Sequence, residues 1–356
     1  MQSPEVPAHR RGTRWSVAAL VITLACVLAV SVLVAIGLGA AAIHPTDTVR
    51  YLWASVTNGT VAAAEASRYQ IVWQIRTPRV LLAALVGAGS SVVGVVVQAL
   101  VRNSLADPYI LGVSSGASVG AVTVSLFGAL AGAGIYAVSV GAFLGALGAT
   151  VLVYAVAYRR TGVTPLRLVL TGVALAFGFQ AVMSVLIYFA PGSEATSTVL
   201  FWTMGSFGAA TWGALPVVAA ISVVGGALLL RYCRVLDVMS LGDETAASLG
   251  VDTAAARRAM FAVTAVMTGA MVAVSGTIGF VGLIIPHITR MVVGATHARV
   301  LLVAPFIGAV LTVWVDLLAR TLAAPRELPL GALTALIGVP VFIVLMRRKS
   351  YVFGGV

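Results

Sequence analysis

Few residues in this chain could do chemistry, and they fall into four groups. Gln98, Arg102, Asn103 and Asp107 interrupt an otherwise apolar stretch. Asp243 and Glu244 form an acidic pair inside the basic segment 231–258. His287 and Arg290 follow Pro286 and stand three apart, on one face of a helix. Asp316 and Arg320 stand four apart and can also share a face, while Arg76 and Arg79 are cations far upstream. None of these groups has the make-up of an active site. No His or Cys cluster has metal-ligand spacing, and Cys26 and Cys233 read as small hydrophobes in or beside apolar runs. A phosphate-binding loop needs a lysine after glycine, but the only lysine, Lys349, follows Met346-Arg347-Arg348. The sequence therefore predicts no enzyme, no bound metal or cofactor, and no ATP site of that kind.

The elements that carry these groups are made for lipid. Of 356 residues 60% are hydrophobic and only 9% charged, with a mean hydropathy of +1.06. A soluble chain of this size could not bury so much apolar surface. A net charge of +11 would suggest nucleic acid in a soluble protein, but here the charges lie between apolar runs and read as topology signals. A ruler of roughly 20 apolar residues per span gives candidates at 16–43, 80–101, 110–130, 135–158, 167–190, 211–230, 257–276, 279–295, 301–321 and 330–346, an all-α integral membrane protein of about ten spans. The seventh and eighth are barely separated by Ser275-Gly276-Thr277-Ile278-Gly279. The first run follows Arg10, Arg11 and Arg14 and is longer than the apolar region of a signal peptide, so it reads as a retained span.

An even number of spans puts both termini on one side. With the N-terminus inside, most of the 22 basic residues face the cytoplasm, and only Arg50, Arg68, Arg76, Arg79, Arg326 and, at a span end, Arg320 lie outside. Arg290 falls within the eighth segment and is unassigned. The positive-inside rule thus predicts N-in and C-in. The chain reads as a single membrane domain over 1–356, with 1–14 a cytoplasmic tail and 231–258 a cytoplasmic loop.

Local signals then place each group. Gly112, Gly116 and Gly120, with Gly141 and Gly145, form small-residue stripes suited to close helix packing. Residues 45–77 predict an outer loop with a short amphipathic helix capped by Thr46 or Asp47. Segment 191–213, with Glu194, Trp202, Phe207 and Trp212, predicts a helix at the outer interface. Pro78 biases Thr77 away from helix, so the second span should begin near Pro78 or Val80, and Arg76 and Arg79 then read as interfacial anchors. Asn103 to Pro108 breaks the helix. Ser240 to Val251 predicts a short surface helix with Ser240 capping toward Asp243, Gly250 as terminator, and Asp252-Thr253 capping the next span. Asp316 is expected to pair with Arg320 or another local donor, and His287 and Arg290 to make helix-to-helix hydrogen bonds.

Three blocks, in this order, carry a resemblance. The first is VWQIRTPRVLLAALVGAGSSVVGVVVQALVRNSLADPYILGVSSGASVG from Val72 to Gly120; the second is the L-G-D-E-x-A-x-x-L-G-V pattern from Leu241; the third runs from Ser275 to Arg290. Together they resemble the FecCD-type permeases of ABC importers for iron-siderophores, haem and vitamin B12, from about Arg76 to the C-terminus. Ser104, where proline is usual, and Thr277, where a small apolar residue or proline is usual, depart from the pattern. The resemblance implies a type II ABC importer permease in the cytoplasmic (inner) membrane, paired with an identical or paralogous second half. Two cytoplasmic ATPase subunits would hold the ATP and Mg, and an extracytoplasmic substrate-binding lipoprotein or periplasmic protein would deliver the cargo.

The resemblance also assigns roles. Arg76, Arg79 and Arg320 would receive acidic residues of the binding protein. Leu241, Gly242, Asp243, Glu244, Ala246, Leu249 and Gly250 would couple to the ATPase. The fifth span, with Phe179, Gln180 and Met183, would line the path between the two halves. Gln98, Arg102, Asn103, Pro286, His287 and Arg290 read as gating or pathway residues. The Asp107-Pro108-Tyr109-Ile110-Leu111-Gly112 form leans toward a ferric siderophore, with haem or vitamin B12 as alternatives. The rival from another class is a proton-coupled carrier that works alone through Asp316 and His287.

Overall fold

The computed structural model describes residues 16–159, 163–190 and 203–347. The tail 1–14, most of the 191–213 segment (Glu194 and Trp202 included) and Lys349 lie outside the described residues. The helices are α1 (Val17–Gly37), α2 (Pro45–Thr57), α3 (Ala66–Gln70), α4 (Thr77–Leu100), α5 (Val113–Phe127), α6 (Ala137–Ala157) and α7 (Pro165–Tyr188). After them come α8 (Leu215–Arg231), α9 (Cys233–Met239), α10 (Asp243–Ser248), α11 (Thr253–Ser275), α12 (Val281–Val293), α13 (His297–Thr321) and α14 (Leu330–Arg347). An apolar helix thus occupies each interval read from the sequence. By length and composition, α1, α6, α7, α11, α13 and the rod that ends in α4 can each cross a bilayer. The pair α8 and α9 passes the same test together, bent by 53°, and α5, α12 and α14 are shorter apolar helices.

Helix α4 is the axis of the bundle and is buried along nearly its whole length, whereas α7 at the rim buries only Leu168 and Gly172. Small residues let the neighbours of α4 come close. A Cβ added to Gly94 would stand 2.0 Å from the Gly282 carbonyl oxygen of α12, and Thr312 of α13 donates its hydroxyl to the Ala83 carbonyl at 2.7 Å. The glycine stripe of α5 meets that of α6 in the same way, since a Cβ on Gly120 would stand 2.1 Å from the Gly141 carbonyl oxygen.

Three local expectations change. Thr77 is helical, with φ −63° and ψ −53°, and continues the helix directly out of a π-helical turn at Ile71–Arg76. Pro78 follows without a break, so α3, the turn and α4 run as one rod from Ala66 to Leu100. Helix α2 forms as expected, but its N-cap is His44 with Pro45 in the first turn, not Thr46 or Asp47. On this loop Arg50 pairs with Glu65 at 2.7 Å, a hydrogen bond that raises its guanidinium further above its ordinary value. Finally, Ser240 does not cap α10: its hydroxyl turns back to the Asp237 carbonyl, and Gly242 at φ +114° makes the entry instead. Gly250, at φ +80°, does end α10, and the Asp252 side chain accepts from the Ala255 N–H at 2.9 Å to cap α11.

Candidate functional site

The polar residues gather at three levels along the bundle. At the level where α4 starts, the Asp316 carboxylate is wholly buried between Arg79 Nε at 2.8 Å and Arg320 Nε at 3.3 Å. Arg79 also binds Glu327 at 2.6 Å. Arg76 and Arg320 turn toward the end of α1, whose last carbonyls have no partner inside the helix. Arg76 donates to Ile36 and Gly37 at 3.2 and 2.8 Å and to Ala41 at 2.6 Å, and Arg320 donates to Leu38 at 2.9 Å and to Ala35. Each cation also meets the negative end of the α1 dipole, which offsets the excess of arginine over carboxylate in this cluster.

This clamp gives the three arginines, expected as interfacial anchors or docking residues at span ends, partners inside the chain. Arg76, Arg79 and Arg320 are only 4%, 6% and 7% exposed, so their guanidinium groups are engaged within the chain. The part of the cluster that solvent reaches is Glu327. Asp316 does pair with Arg320, as its spacing suggested, but its shorter contact is with Arg79, 237 residues away.

The second level is a joint between α4 and the shorter α12. Pro286 cannot donate to the carbonyl of Gly282, and the break in α12 is met by α4. Gln98, fully buried, donates to the Leu283 carbonyl at 3.0 Å and accepts from Arg290 at 2.6 Å. Beside it the connector after α4 folds back. Asn103 accepts from the Leu105 N–H at 2.9 Å in a side-chain turn, and Arg102 takes a left-handed φ of 50°. Asp107 then bridges the starts of two elements, accepting from the Tyr109 N–H at 2.9 Å and from the Phe280 N–H at 3.4 Å. Ser114, in the first turn of α5, and Thr277, in the connector before α12, add a hydroxyl contact at 3.1 Å. Gln98 and Arg290 are thus brought together, while His287 lies half-buried one residue past the proline.

At the third level α10 stands on an anchor. Asp243 accepts from Arg257 at 3.0 Å and lies 3.8 Å from Arg102, and Arg257 also donates to the Val163 carbonyl at 3.0 Å. Ala246 is fully buried beneath the helix. Leu241 and Leu249, 66% and 62% exposed, and Glu244 look outward. The residues grouped together in the sequence therefore divide into a footing, half-exposed Asp243 held by Arg257 and buried Ala246, and an outward face, Leu241, Glu244 and Leu249. The next connector is tied down too, since Asp237 of α9 accepts from the His297 backbone N–H at 3.0 Å and meets its Nδ1 at 2.6 Å.

Sequence reasoning did not find Arg257, the Asp237–His297 link or the Gly94–Gly282 contact. Only the last left a local signal, Pro286 four residues after a glycine. On α7, Gln180 is exposed and Phe179 and Met183 are half-buried, and Phe179 lies near Gly112. The rest of that helix face is open and apolar, with Leu170, Val173, Phe177 and Tyr188 all exposed.

Comparison with known proteins bears on the family of the whole chain. Residues 27–348 match the model of the FecCD transport family. The chain is 35% identical over 324 residues to the iron(3+)-hydroxamate import system permease protein FhuB of Bacillus subtilis, covering 91% of this chain and 82% of that one. It is 39% identical over 302 residues to the hemin transport system permease protein HmuU of Yersinia pestis, covering 84% and 88%. Among solved structures, a metal-chelate type ABC transporter in an inward-facing conformation superposes with a TM-score of 0.81 at 32% identity, over 93% of this chain and 99% of that one.

Proposed function

This chain belongs to the FecCD transport family, and from that premise we propose that it carries a ferric siderophore across the cytoplasmic membrane, driven by a separate ATPase. It is a family of transport permeases, and relatives of this chain are named as permeases of import systems for iron(3+)-hydroxamate, hemin, vitamin B12 and molybdate. The observation that carries the energy source is the build of α10. A short helix footed on Asp243 and Ala246, with Leu241, Glu244 and Leu249 outward, is a knob for a partner to push. A chain without a phosphate-binding loop needs such a partner, here two ATPase subunits holding ATP and Mg.

The open apolar face of α7 suits a second permease half, identical or paralogous, with Phe179, Gln180 and Met183 near the path between them. N-in and C-in topology puts the clamp outside, where a binding protein would dock. Because Arg76, Arg79 and Arg320 are already engaged, an acidic residue of that protein would reach Arg79 only by displacing Glu327. The siderophore assignment rests on the Asp107–Gly112 form and on the iron-hydroxamate relative. The carrier alternative is disfavoured because two guanidinium groups hold the Asp316 carboxylate.

The test is reconstitution in proteoliposomes with the cognate ATPase and binding protein. ATP-dependent entry of radioactive iron as a siderophore chelate, exceeding entry of haem or cobalamin, is the expected result. Preference for haem or cobalamin would reassign the cargo, and uptake driven by a proton gradient without the ATPase would overturn the importer reading.

A further inference from the structure

At the clamp end of the bundle a cavity of about 820 Å³ opens between α6 and α8 and is floored by α11. Its floor is buried: Leu82, Val218, Ala270 and Ala273 are 1%, 2%, 6% and 6% exposed. Its mouth is apolar and open, at Ile135, Val140 and Val217. Among the described residues no charged side chain lines it, and its polar side chains are a few hydroxyls. Two of these are already engaged, since Ser275 donates to the Met271 carbonyl and Ser206 accepts from the Gly208 N–H.

Something fills a space of this size, and the walls decide what. Its volume would hold roughly 27 waters at about 30 Å³ each, but buried water needs two to four polar partners apiece, and Tyr136, Ser139 and Thr211 cannot supply them. Left empty, the walls would lose their dispersion contacts. The medium that matches these walls is the apolar part of the bilayer. The mouth is continuous with the lipid-facing belt, because exposed Leu144 and Leu152 extend it along α6 and exposed Val223, Val224 and Leu228 along α8. The absence of lining charge leaves an ionised headgroup nothing to bind, so the matching part of a lipid is its tail.

We propose that this pocket is a resident acyl-chain site, holding the tail of a phospholipid between α6 and α8. The tail acts as a removable part of the core. It supports α11 close to the Gly276–Phe280 connector, whose Phe280 N–H is held by Asp107.

The experiment uses the full chain in phosphatidylcholine nanodiscs containing a fraction of phosphatidylcholine with a diazirine at the end of one acyl chain. After illumination, peptide mass spectrometry should find adducts on the buried floor, at Val218 and Ala273, which lipid around the protein cannot reach from outside. Val217→Trp at the exposed mouth and Ala214→Phe on the wall should each cut floor labelling about tenfold, the equivalent of ~1.4 kcal/mol of site affinity. Labelling of belt positions such as Val151 and Val156 should stay as it is. Adducts confined to the belt, with none on the floor, would overturn the proposal. So would floor labelling abolished by a water-soluble ferric chelate, which would make the pocket part of a cargo path, or floor labelling unchanged in both variants.

Discussion

The two charged ends of this molecule are built on opposite plans. At the clamp, three arginines and the Asp316 carboxylate are almost fully withdrawn from solvent, and their donors go to one another, to Glu327 and to the carbonyls at the end of α1. At α10 the charges are half open: the Asp243 and Arg102 side chains are 34% and 41% exposed, and only Arg257 is buried. A buried pair cannot lose one member without stranding the other's charge, whereas a half-exposed pair can exchange its partner for water. The clamp therefore fixes where α1, α4 and α13 meet, and the α10 footing tolerates movement. Charge alone does not mark a functional surface in this fold; what separates the two ends is whether the partners are inside the chain.

The sharpest way to break that contrast is Asp316→Ala. It leaves Arg79 and Arg320 buried without their shared carboxylate, and the expected cost is about 3–5 kcal/mol, read as a lowered unfolding midpoint and poor recovery of monodisperse protein. Asp316→Asn keeps an acceptor for Arg79 and should recover part of the loss. An Asp316→Ala protein as stable as the parent would mean the clamp is ornamental.

The joint lies between the two extremes and should respond in between. Gly94→Val drives a side chain into the Gly282 carbonyl, and overpacking of this kind costs about 1–3 kcal/mol. Gln98→Leu removes the acceptor of Arg290 and the donor to Leu283, again for about 1–3 kcal/mol. Because α4 and α12 meet at both positions, the double substitution should be less harmful than the sum, measurable as a coupling in a double-mutant cycle.

How far the sequence reaches depends on where each partner lies along the chain. The helices were legible because a span is a local property: apolar length, the turn signals between runs and the Asp252 cap are all read within a short window. The Asp316–Arg320 pair was legible for the same reason. Arg79 with Asp316, Gln98 with Leu283 and Asp237 with His297 join residues 237, 185 and 60 positions apart, and nothing local announces them. The same limit applies to Arg76, Arg79 and Arg320. From sequence, a cation at a span end reads as facing water, and only the approach of α1 shows where its hydrogen bonds go. Thr77 failed differently: the residue before proline is biased against helix but not barred from it, and Thr77 continues the helix directly out of the π-helical turn at Ile71–Arg76.

The smallest stability effects are expected at α10, and there the contrast becomes functional. Asp243→Ala should cost only about 1 kcal/mol, since Arg257 keeps its bond to the Val163 carbonyl. Glu244→Lys should fall within about 0.5 kcal/mol of the parent, because its side chain faces solvent. If α10 is the face that meets the ATPase, their effects on transport should run the other way. Glu244→Lys reverses charge on the contact surface and should weaken ATPase binding. Asp243→Ala loosens the footing, so ATP hydrolysis should continue while uptake falls. Measuring ATPase affinity, hydrolysis and uptake on the same proteoliposomes separates the two. Loss of uptake in both variants with unchanged affinity in Glu244→Lys would move the contact off α10 and leave Asp243 with a structural role alone.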